Sequence, residues 1–130
     1  MLRDKVINRL MDKGLRPTRQ RVALAEILFK GEDRHFTAET LHQEAQANGF
    51  HISLATVYNT LHQFVEVGLL QEMTLENGRS VFDTNSKFHH HFVCDQTGDL
   101  TDIPAEAISV SRFPPPPPGM EVVSIEVNIR

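Results

Sequence analysis

The chain has little cysteine, no tryptophan and no long hydrophobic run. Its single cysteine, Cys94, excludes a disulfide within one chain and a structural zinc site built from four cysteines. No apolar stretch approaches the roughly 20 residues that a transmembrane helix needs, and the polar N-terminal segment does not resemble a secretion signal. We therefore expect a cytoplasmic protein with no membrane partner, whose 130 residues form one domain or two very small ones.

The net charge of −4 conceals two regions of opposite charge. Residues 1–30 contain eight Lys or Arg and three acidic residues, whereas residues 31–130 contain five basic and fourteen acidic residues. A basic end on an acidic body is typical of a chain that presents one surface to a polyanion such as DNA. Taken alone, the asymmetry is equally compatible with ordinary helix-surface composition.

Three consecutive histidines, His89 to His91, are flanked by Phe88 and Phe92 in a segment that is typical of a β-strand. Because successive side chains of a strand point to opposite faces, His89 and His91 are expected on one face and His90 on the other. Two imidazoles on one face can bind one metal ion or one haem, and the third can serve a different site. The structural alternative is a polar strand whose edge is protected by titratable groups.

Apolar residues recur at helical spacing in four segments of the first half of the chain. Thr18, Thr37 and Ser53 are well placed to cap three of the helices, and glycines follow the ends of three. The predicted helices are Leu2–Lys13, Arg19–Phe29, Thr37–Asn48 and Leu54–Val67.

After Gly68 the apolar pattern changes to one typical of strands. Leu69–Leu75 and Arg79–Asp83 are joined through Asn77-Gly78, which predicts a β-hairpin. Five prolines, Pro114–Pro118, predict an extended connector. Further along we predict a short helix over Pro104–Val110 and strands over Phe88–Cys94, Asp99–Ile103 and Met120–Ile129.

Helices followed by a hairpin predict an α+β fold with an N-terminal winged helix-turn-helix domain over residues 1–83. Residues 84–130 are expected to form a small α/β, β-rich domain for dimerisation and for sensing metal or haem. So short a segment cannot build a sufficient core alone, and we expect two copies to pair across a twofold axis. A homodimer would also present two recognition helices to successive turns of DNA.

Two groups of residues are candidates for binding an operator in double-stranded DNA. A basic loop offers arginines for phosphates or a minor groove, and the start of the fourth helix offers hydroxyl, aromatic and amide groups for the major groove. These candidates are Arg16, Arg19, Arg21, Ser53, Thr56, Tyr58 and Asn59.

Several motifs, which span nearly the whole chain, resemble the ferric uptake regulator (Fur) superfamily. Within it, the chain is most similar to the iron response regulator (Irr) branch of alphaproteobacteria, on the evidence of Ala55–Leu61, the histidine triplet and Pro118–Glu121. The motifs that carry the wider resemblance are Gly14–Arg21, Ala38–Leu41, Ser53–Leu61 and Gly68-Leu69.

This resemblance implies a transcription regulator of iron and haem homeostasis, not an enzyme. It implies that haem or a divalent metal controls DNA binding, with operators bound when iron is scarce and a partner protein delivering haem. A regulatory iron, manganese or zinc ion would be held between the domains, and haem would bind the histidine triplet. The implied metal ligands are His35, Asp83, His89, His91 and Asp102, and the implied haem ligands are His89, His90 and His91.

The chain departs from the family pattern at several of these positions. Asp83 and Asp102 stand where glutamate is frequent. Thr97 stands where a second zinc-binding cysteine is usual, so we expect no structural zinc and a packed Cys94. Asn59 replaces a frequent arginine, which implies a different base preference.

Four alternatives remain open at this point. Two stay within the superfamily: a Fur protein that needs metal as corepressor, and a peroxide sensor that uses Fe(II) at the same ligands. A third is a small non-haem iron enzyme built on two histidines and a carboxylate, against which the basic loop and helix-turn-helix argue. The fourth is a winged-helix domain that binds protein and has lost its metal.

Overall fold

The computed structural model describes residues 1–87 and 89–130, which form two compact units, Met1–Ser86 and Lys87–Arg130. The sequence-predicted boundary after Asp83 falls three residues before the observed one. The reason is that Thr84 is still bonded into unit 1. Its hydroxyl accepts a hydrogen bond from the Arg34 N–H (2.8 Å), and its own N–H donates to the Arg34 carbonyl oxygen (3.1 Å).

Unit 1 contains four helices, and each ends one residue before its predicted end. The bounds are Leu2–Asp12 (α1), Arg19–Leu28 (α2), Ala38–Ala47 (α3) and Leu54–Glu66 (α4). The predicted helices are thus confirmed. Within the part of the chain that the structure describes, none of the helices combines the length and apolar composition that crossing a membrane requires.

Side-chain caps fix where three of these helices begin. The hydroxyl oxygens of Thr18, Thr37 and Ser53 accept hydrogen bonds from backbone N–H groups three residues ahead, at 3.3, 3.2 and 3.1 Å. Each bond satisfies one of the N–H groups that a helix start leaves without an intrahelical acceptor. The sequence therefore sets the start of the predicted recognition helix α4 at Ser53.

A glycine ends α4 and turns the chain toward the hairpin. Gly68 has a φ of 82°, and the next N–H, of Leu69, donates to the Phe64 carbonyl oxygen (2.8 Å). Leu69 and Phe64 are both buried in the apolar core of unit 1. This core collects the inner faces of all four helices, and it holds α4 against α2 and α3.

A three-stranded antiparallel sheet completes unit 1. Its strands are His35–Phe36 (β1), Gln71–Thr74 (β2) and Ser80–Asp83 (β3), in the order β1-β3-β2. The predicted turn at Asn77-Gly78 is confirmed, with Gly78 at a φ of 81°. Strand β1 is not among the predicted strands, because two residues carry no periodicity and only pairing with β3 makes them a strand.

Unit 2 is a second small sheet. Its strands are His89–Val93 (β4), Leu100–Pro104 (β5) and Asn128–Ile129 (β6), and β4 lies between antiparallel β5 and parallel β6. The first residue of the predicted strand Phe88–Cys94, Phe88, lies outside the described residues. The predicted helix over Pro104–Val110 is a single 3-10 turn, Ala105–Ala107. The α+β class, a helix-turn-helix domain followed by a small α/β domain, is confirmed.

The predicted strand Met120–Ile129 is wrong for all but its last residues. The His91 N–H donates to the Val127 carbonyl oxygen (3.1 Å), but the Val127 N–H donates to the Nδ1 atom of His90 (2.9 Å). The His90 side chain therefore occupies the Val127 N–H, which would otherwise extend the β4–β6 ladder toward Met120. Only Asn128 and Ile129 pair as a strand.

Candidate functional site

Unit 2 brings two histidines and one carboxylate together on one face of its sheet. His91 and Asp102 are direct partners in the register of β4 and β5. The Nε2 atoms of His89 and His91 lie 3.1 and 3.5 Å from the same Asp102 oxygen, Oδ1. The two imidazole rings are 4.5 Å apart between centroids, and both side chains are buried. The predicted sharing of one face by His89 and His91 is confirmed.

A backbone carbonyl fixes the tautomer of His89. The Lys87 carbonyl oxygen can only accept a hydrogen bond, so the contacting Nδ1 atom of His89 carries the hydrogen. A neutral His89 then turns the lone pair of its Nε2 toward the Asp102 carboxylate oxygen. Two acceptors attract each other only through a proton or a cation between them. A carbonyl behind the ring is also the support that metal-bound histidines usually have.

Unit 1 holds a second His–Asp pair. His35 and Asp83 are opposite each other in the register of β1 and β3, and His35 Nε2 lies 2.9 Å from Asp83 Oδ2. The other oxygen of Asp83, Oδ1, accepts a hydrogen bond from the Asn85 N–H (2.9 Å). Asp83 is buried. Its carboxylate is oriented by His35 at one oxygen and by the Asn85 N–H at the other. Imidazole and carboxylate donors of this kind suit iron, manganese and zinc.

His90 lies on the opposite face of β4, as the strand alternation predicts. Its Nδ1 atom accepts from the Val127 N–H, so a neutral ring carries its hydrogen on Nε2. His90 also lines a cavity of about 610 Å³ in unit 2. The other lining residues are mostly aliphatic: Ala105, Ile108, Val110, Val122, Val123, Ser124 and Ile125.

The start of α4 presents polar groups outward. Ser53 is exposed, and its hydroxyl bonds both the N–H and the hydroxyl of Thr56 (3.1 and 2.9 Å). Asn59 is exposed as well. The hydroxyl of Tyr58 donates to Glu39 Oε1 on α3 (2.7 Å). Ser53 and Asn59 are therefore exposed, whereas Thr56 and Tyr58 are half-buried. Ser53 and Thr56 are both committed to the cap.

The hydrogen bond between Tyr58 and Glu39 shifts the pKa of both side chains. It lowers the pKa of the Glu39 carboxyl, to which the charge of Arg79 adds, and it raises the pKa of the Tyr58 phenol. At neutral pH the carboxylate is therefore charged and the phenol is a donor. Sequence reasoning missed Glu39, because no local signal shows which side chain on α3 faces a tyrosine nineteen residues later.

The three arginines of the basic loop have different surroundings. Arg16 and Arg19 are exposed. Arg21 instead donates through Nε and Nη2 to Gln63 Oε1 (3.2 and 3.0 Å) and through Nη1 to the Arg16 carbonyl oxygen (2.8 Å). Arg21 therefore ties α2 and the loop to α4, a structural role that its sequence position did not indicate.

Cys94 follows β4 at the start of a turn, and it is free and exposed. The expectation of a packed side chain is wrong, because the chain leaves the sheet at this residue. Hydrogen bonds from the Thr97 hydroxyl and then from the backbone N–H groups of Thr97 and Gln96 lower the pKa of the thiol. With one cysteine in the sequence, the chain has no four-cysteine zinc site of its own.

The sequence matches the model of the ferric uptake regulator family over residues 12–129. It is 37% identical over 100 residues to the ferric uptake regulation protein of Vibrio anguillarum, a match covering 76% of this chain and 67% of that protein. It is 34% identical over 99 residues to the peroxide-responsive repressor PerR of Staphylococcus aureus strain Mu50, covering 76% and 66%.

A solved structure is similar to the whole fold. The ferric uptake regulator of Pseudomonas aeruginosa with manganese aligns with a TM-score of 0.73 and 28% identity, over 95% of this chain and 94% of that one. The family model alone covers far more than half of the sequence. The chain therefore belongs to the ferric uptake regulator family, a family of metal-responsive transcription regulators.

Proposed function

We propose that the chain is a cytoplasmic DNA-binding regulator, and not an enzyme, whose affinity for double-stranded operators is set by a divalent metal ion. The observation that carries this proposal is the convergence of His89 and His91 on one oxygen of Asp102. Two buried imidazoles whose Nε2 atoms face one carboxylate oxygen are unfavourable without a cation or a proton to join them. The metal-bound Pseudomonas aeruginosa relative supports the same conclusion.

The donor set indicates which ions fit. Following the family resemblance, we propose that His35 and Asp83 act with His89, His91 and Asp102 on one ion. Three imidazoles and two carboxylates suit Fe(II), Mn(II) and Zn(II) better than Mg(II) or Ca(II), which prefer oxygen ligands alone. When bound, the ion supplies positive charge and fixed geometry. The chain's own part is to present the ligands in position, as the Lys87 carbonyl does for His89.

Recognition of DNA is proposed for the outer side of unit 1. Arg16 and Arg19 are exposed for phosphate contacts, which supply affinity but no sequence information. Tyr58 and Asn59 are proposed to read base edges in the major groove, where a thymine methyl suits an aromatic ring and an amide can bond adenine. Ser53 and Thr56 remain candidates for phosphate contacts at the helix start, whereas Arg21 is proposed to hold the loop in place.

A homodimer is proposed through unit 2. Among the described residues of this unit, seven large apolar side chains are exposed, an unusual number for so few residues. A second copy that covers them would complete the unit and duplicate the DNA-binding surface. These residues are Phe92, Val110, Phe113, Met120, Val122, Val123 and Ile129.

The direct test is DNA binding by the purified protein after removal of metal, followed by titration with Mn(II), Zn(II) or Fe(II). A DNA duplex selected from a random pool serves as the probe, with fluorescence anisotropy as the readout. We expect metal to strengthen binding at least tenfold, and His89→Ala/His91→Ala to abolish that response. His42→Ala, a histidine on the surface of α3, is the matched control and should respond like the unaltered protein. Metal-independent binding would overturn the proposal.

A haem-responsive regulator, similar to the Irr branch, is a second candidate. The aliphatic cavity beside His90 favours it, since imidazole is a common axial ligand of haem iron. The bond from Val127 argues against it, because ligation through Nε2 would require the ring hydrogen to move to Nδ1 and that bond to break. A Soret-band titration of the unaltered protein and of His89→Ala/His90→Ala/His91→Ala tests it. Equal spectra would show that the triplet does not bind haem, and they would exclude a partner protein that delivers haem to it.

A peroxide sensor is the remaining candidate within the family, and the Staphylococcus aureus PerR relative favours it. Fe(II)-loaded protein would lose DNA binding on exposure to hydrogen peroxide, whereas Mn(II)-loaded protein would not. Equal loss with both metals, or with neither, would exclude this candidate.

A further inference from the structure

The tyrosine of the recognition helix is held by a carboxylate on the neighbouring helix. The Tyr58 hydroxyl donates to Glu39 Oε1 at 2.7 Å, so the bond joins α4 to α3. The hydroxyl lies at the outer end of a half-buried ring, and Glu39 itself is exposed. Because the acceptor is an ionised carboxylate, this hydrogen bond is stronger than one between neutral groups.

Further groups of unit 1 surround the same ring. The imidazole of His62, one turn later on α4, lies 6.1 Å from the Tyr58 ring between centroids, and Phe82 lies 6.1 Å beyond His62. Arg79, in the hairpin that follows α4, contributes positive charge at Glu39. The ring is thus supported on one side by other rings and is fixed at its tip by Glu39.

We propose that Glu39 is a positioning residue for base recognition: by holding the Tyr58 hydroxyl, it sets the orientation in which the tyrosine ring meets a thymine methyl in the major groove. This inference rests on the proposed function, because it assumes that α4 enters the groove. Side chains that read bases need their rotamers locked by neighbouring hydrogen bonds, and Glu39 supplies such a bond from outside the helix.

The charge of Glu39 allows a positioning role to be distinguished from a purely electrostatic effect on DNA binding. An exposed carboxylate near a DNA-binding surface repels phosphates, so removing the charge alone strengthens binding to any sequence. Loss of a positioning bond has the opposite effect and weakens binding to the preferred sequence only. The sign of the change in Glu39→Gln therefore separates the two roles.

The experiment uses the full chain loaded with Mn(II) and a duplex selected by the unaltered protein from random DNA. Each thymine of the duplex is replaced in turn by deoxyuridine, which removes one methyl group. Glu39→Gln, Tyr58→Phe and the double variant are compared by anisotropy. Glu66→Gln removes the same charge at the other end of α4 and is the matched control. Thermal unfolding of each variant separates misfolding from altered recognition.

Glu39→Gln keeps an acceptor oxygen but loses its charge, which weakens the bond, and Tyr58→Phe removes the donor. We expect each to weaken binding about three- to tenfold, the difference between a charge-assisted and a neutral hydrogen bond. The double variant should be no weaker than either single variant, and the deoxyuridine penalty at one thymine should shrink in all three. Glu66→Gln should keep that penalty. Stronger binding by Glu39→Gln, additive effects or an unchanged deoxyuridine penalty would overturn the inference. Failure of the unaltered protein to bind any duplex would instead overturn the proposed function.

Discussion

The two units of the chain are stabilised in different ways. In the described residues, the apolar core cluster contains eighteen buried side chains, and all of them belong to unit 1. The described part of unit 2 buries the apolar Val93 and Ile103 together with His89, His90 and His91, and it leaves seven large apolar side chains exposed. Unit 1 has the apolar core that an independently folded domain needs. Unit 2 buries imidazoles, which the proposed ion would join, and exposes apolar side chains, which the proposed second copy would cover.

This difference between the units fits the proposal that the histidines of unit 2 bind the regulatory metal ion. Buried imidazoles and a carboxylate cost free energy unless each charge and lone pair is matched. A metal ion that satisfies them adds its binding free energy to the stability of the folded form. In unit 1 most buried side chains are apolar and are stabilised by packing, and the buried polar ones are Thr60, Asp83 and Thr84.

The largest effect should come from the core of unit 1. Phe64 on α4 is fully buried, so Phe64→Ala should lower the free energy of unfolding by about 3–5 kcal/mol. Arg112 in unit 2 is exposed and lies outside the proposed dimer surface, and Arg112→Ala should change the free energy of unfolding by less than about 0.5 kcal/mol. Urea denaturation followed by the helical circular dichroism signal measures both. Equal effects of the two substitutions would remove the contrast between the units.

Metal should stabilise the protein by a smaller amount. At a free Zn(II) concentration one hundred times the dissociation constant, the gain should be about 2.7 kcal/mol, as mass action requires for one site. Calorimetry of apo and Zn(II)-loaded protein measures this gain. His89→Ala/His91→Ala should lose both the gain and the bound ion in elemental analysis, whereas His42→Ala should keep both. Retention of the full gain by the double variant would contradict the assigned ligands.

Loss of the cap of α4 should lower the free energy of unfolding by less than loss of the metal. Ser53→Ala removes the hydrogen bond to the Thr56 N–H and should destabilise unit 1 by about 1 kcal/mol. Ser111→Ala, at an exposed position of unit 2 outside helices and strands, is the control and should have no measurable effect. Denaturant midpoints of the two variants give the comparison, and a neutral Ser53→Ala would show that the cap does not set the helix start.

The smallest effect should come from an ion pair of unit 1. Arg34 donates to both oxygens of Glu44 (2.8 and 2.6 Å), and these bonds lower the pKa of the Glu44 carboxyl below its ordinary value of 4.5. A lowered folded-state pKa means that the stabilisation is present above 4.5 and is lost as pH falls through the folded value. Glu44→Gln should therefore cost about 0.5 kcal/mol at pH 7, since the pair is only partly shielded from solvent.

The pH dependence provides the check on that pair. Urea midpoints of the unaltered protein and Glu44→Gln should differ at pH 7 and converge as the pH is lowered below 4.5. A difference that stays constant with pH would assign the effect to lost packing and not to charge.

Sequence reasoning succeeded where the determinants are local. Caps such as Thr18 and Ser53 and the glycine after α4 lie within a turn of the helix ends that they fix, and Asn77-Gly78 directs the hairpin in the same way. The alternation of one strand was enough to place His89 and His91 on one face and His90 on the other.

It failed where the cause is distant in the chain. Strand β1 exists only because His35 and Phe36 pair with β3, and most of the predicted strand Met120–Ile129 is absent because the side chain of His90 bonds Val127. Asp102 is named as a ligand only through the family resemblance, because its placement opposite His91 depends on strand register. Glu39 gave no signal at all, since its role depends on the packing of α3 against α4.

Hydrogen exchange with and without Zn(II), read by mass spectrometry, tests the central claim most directly. If a cation completes the interior of unit 2, adding Zn(II) should raise protection in His89–Val93 and Leu100–Pro104 and at the paired ends of β1 and β3, while α2 and the centre of α4 remain unchanged. His89→Ala/His91→Ala should show no such gain. Equal protection of the β4 and β5 amides with and without metal would contradict the claim.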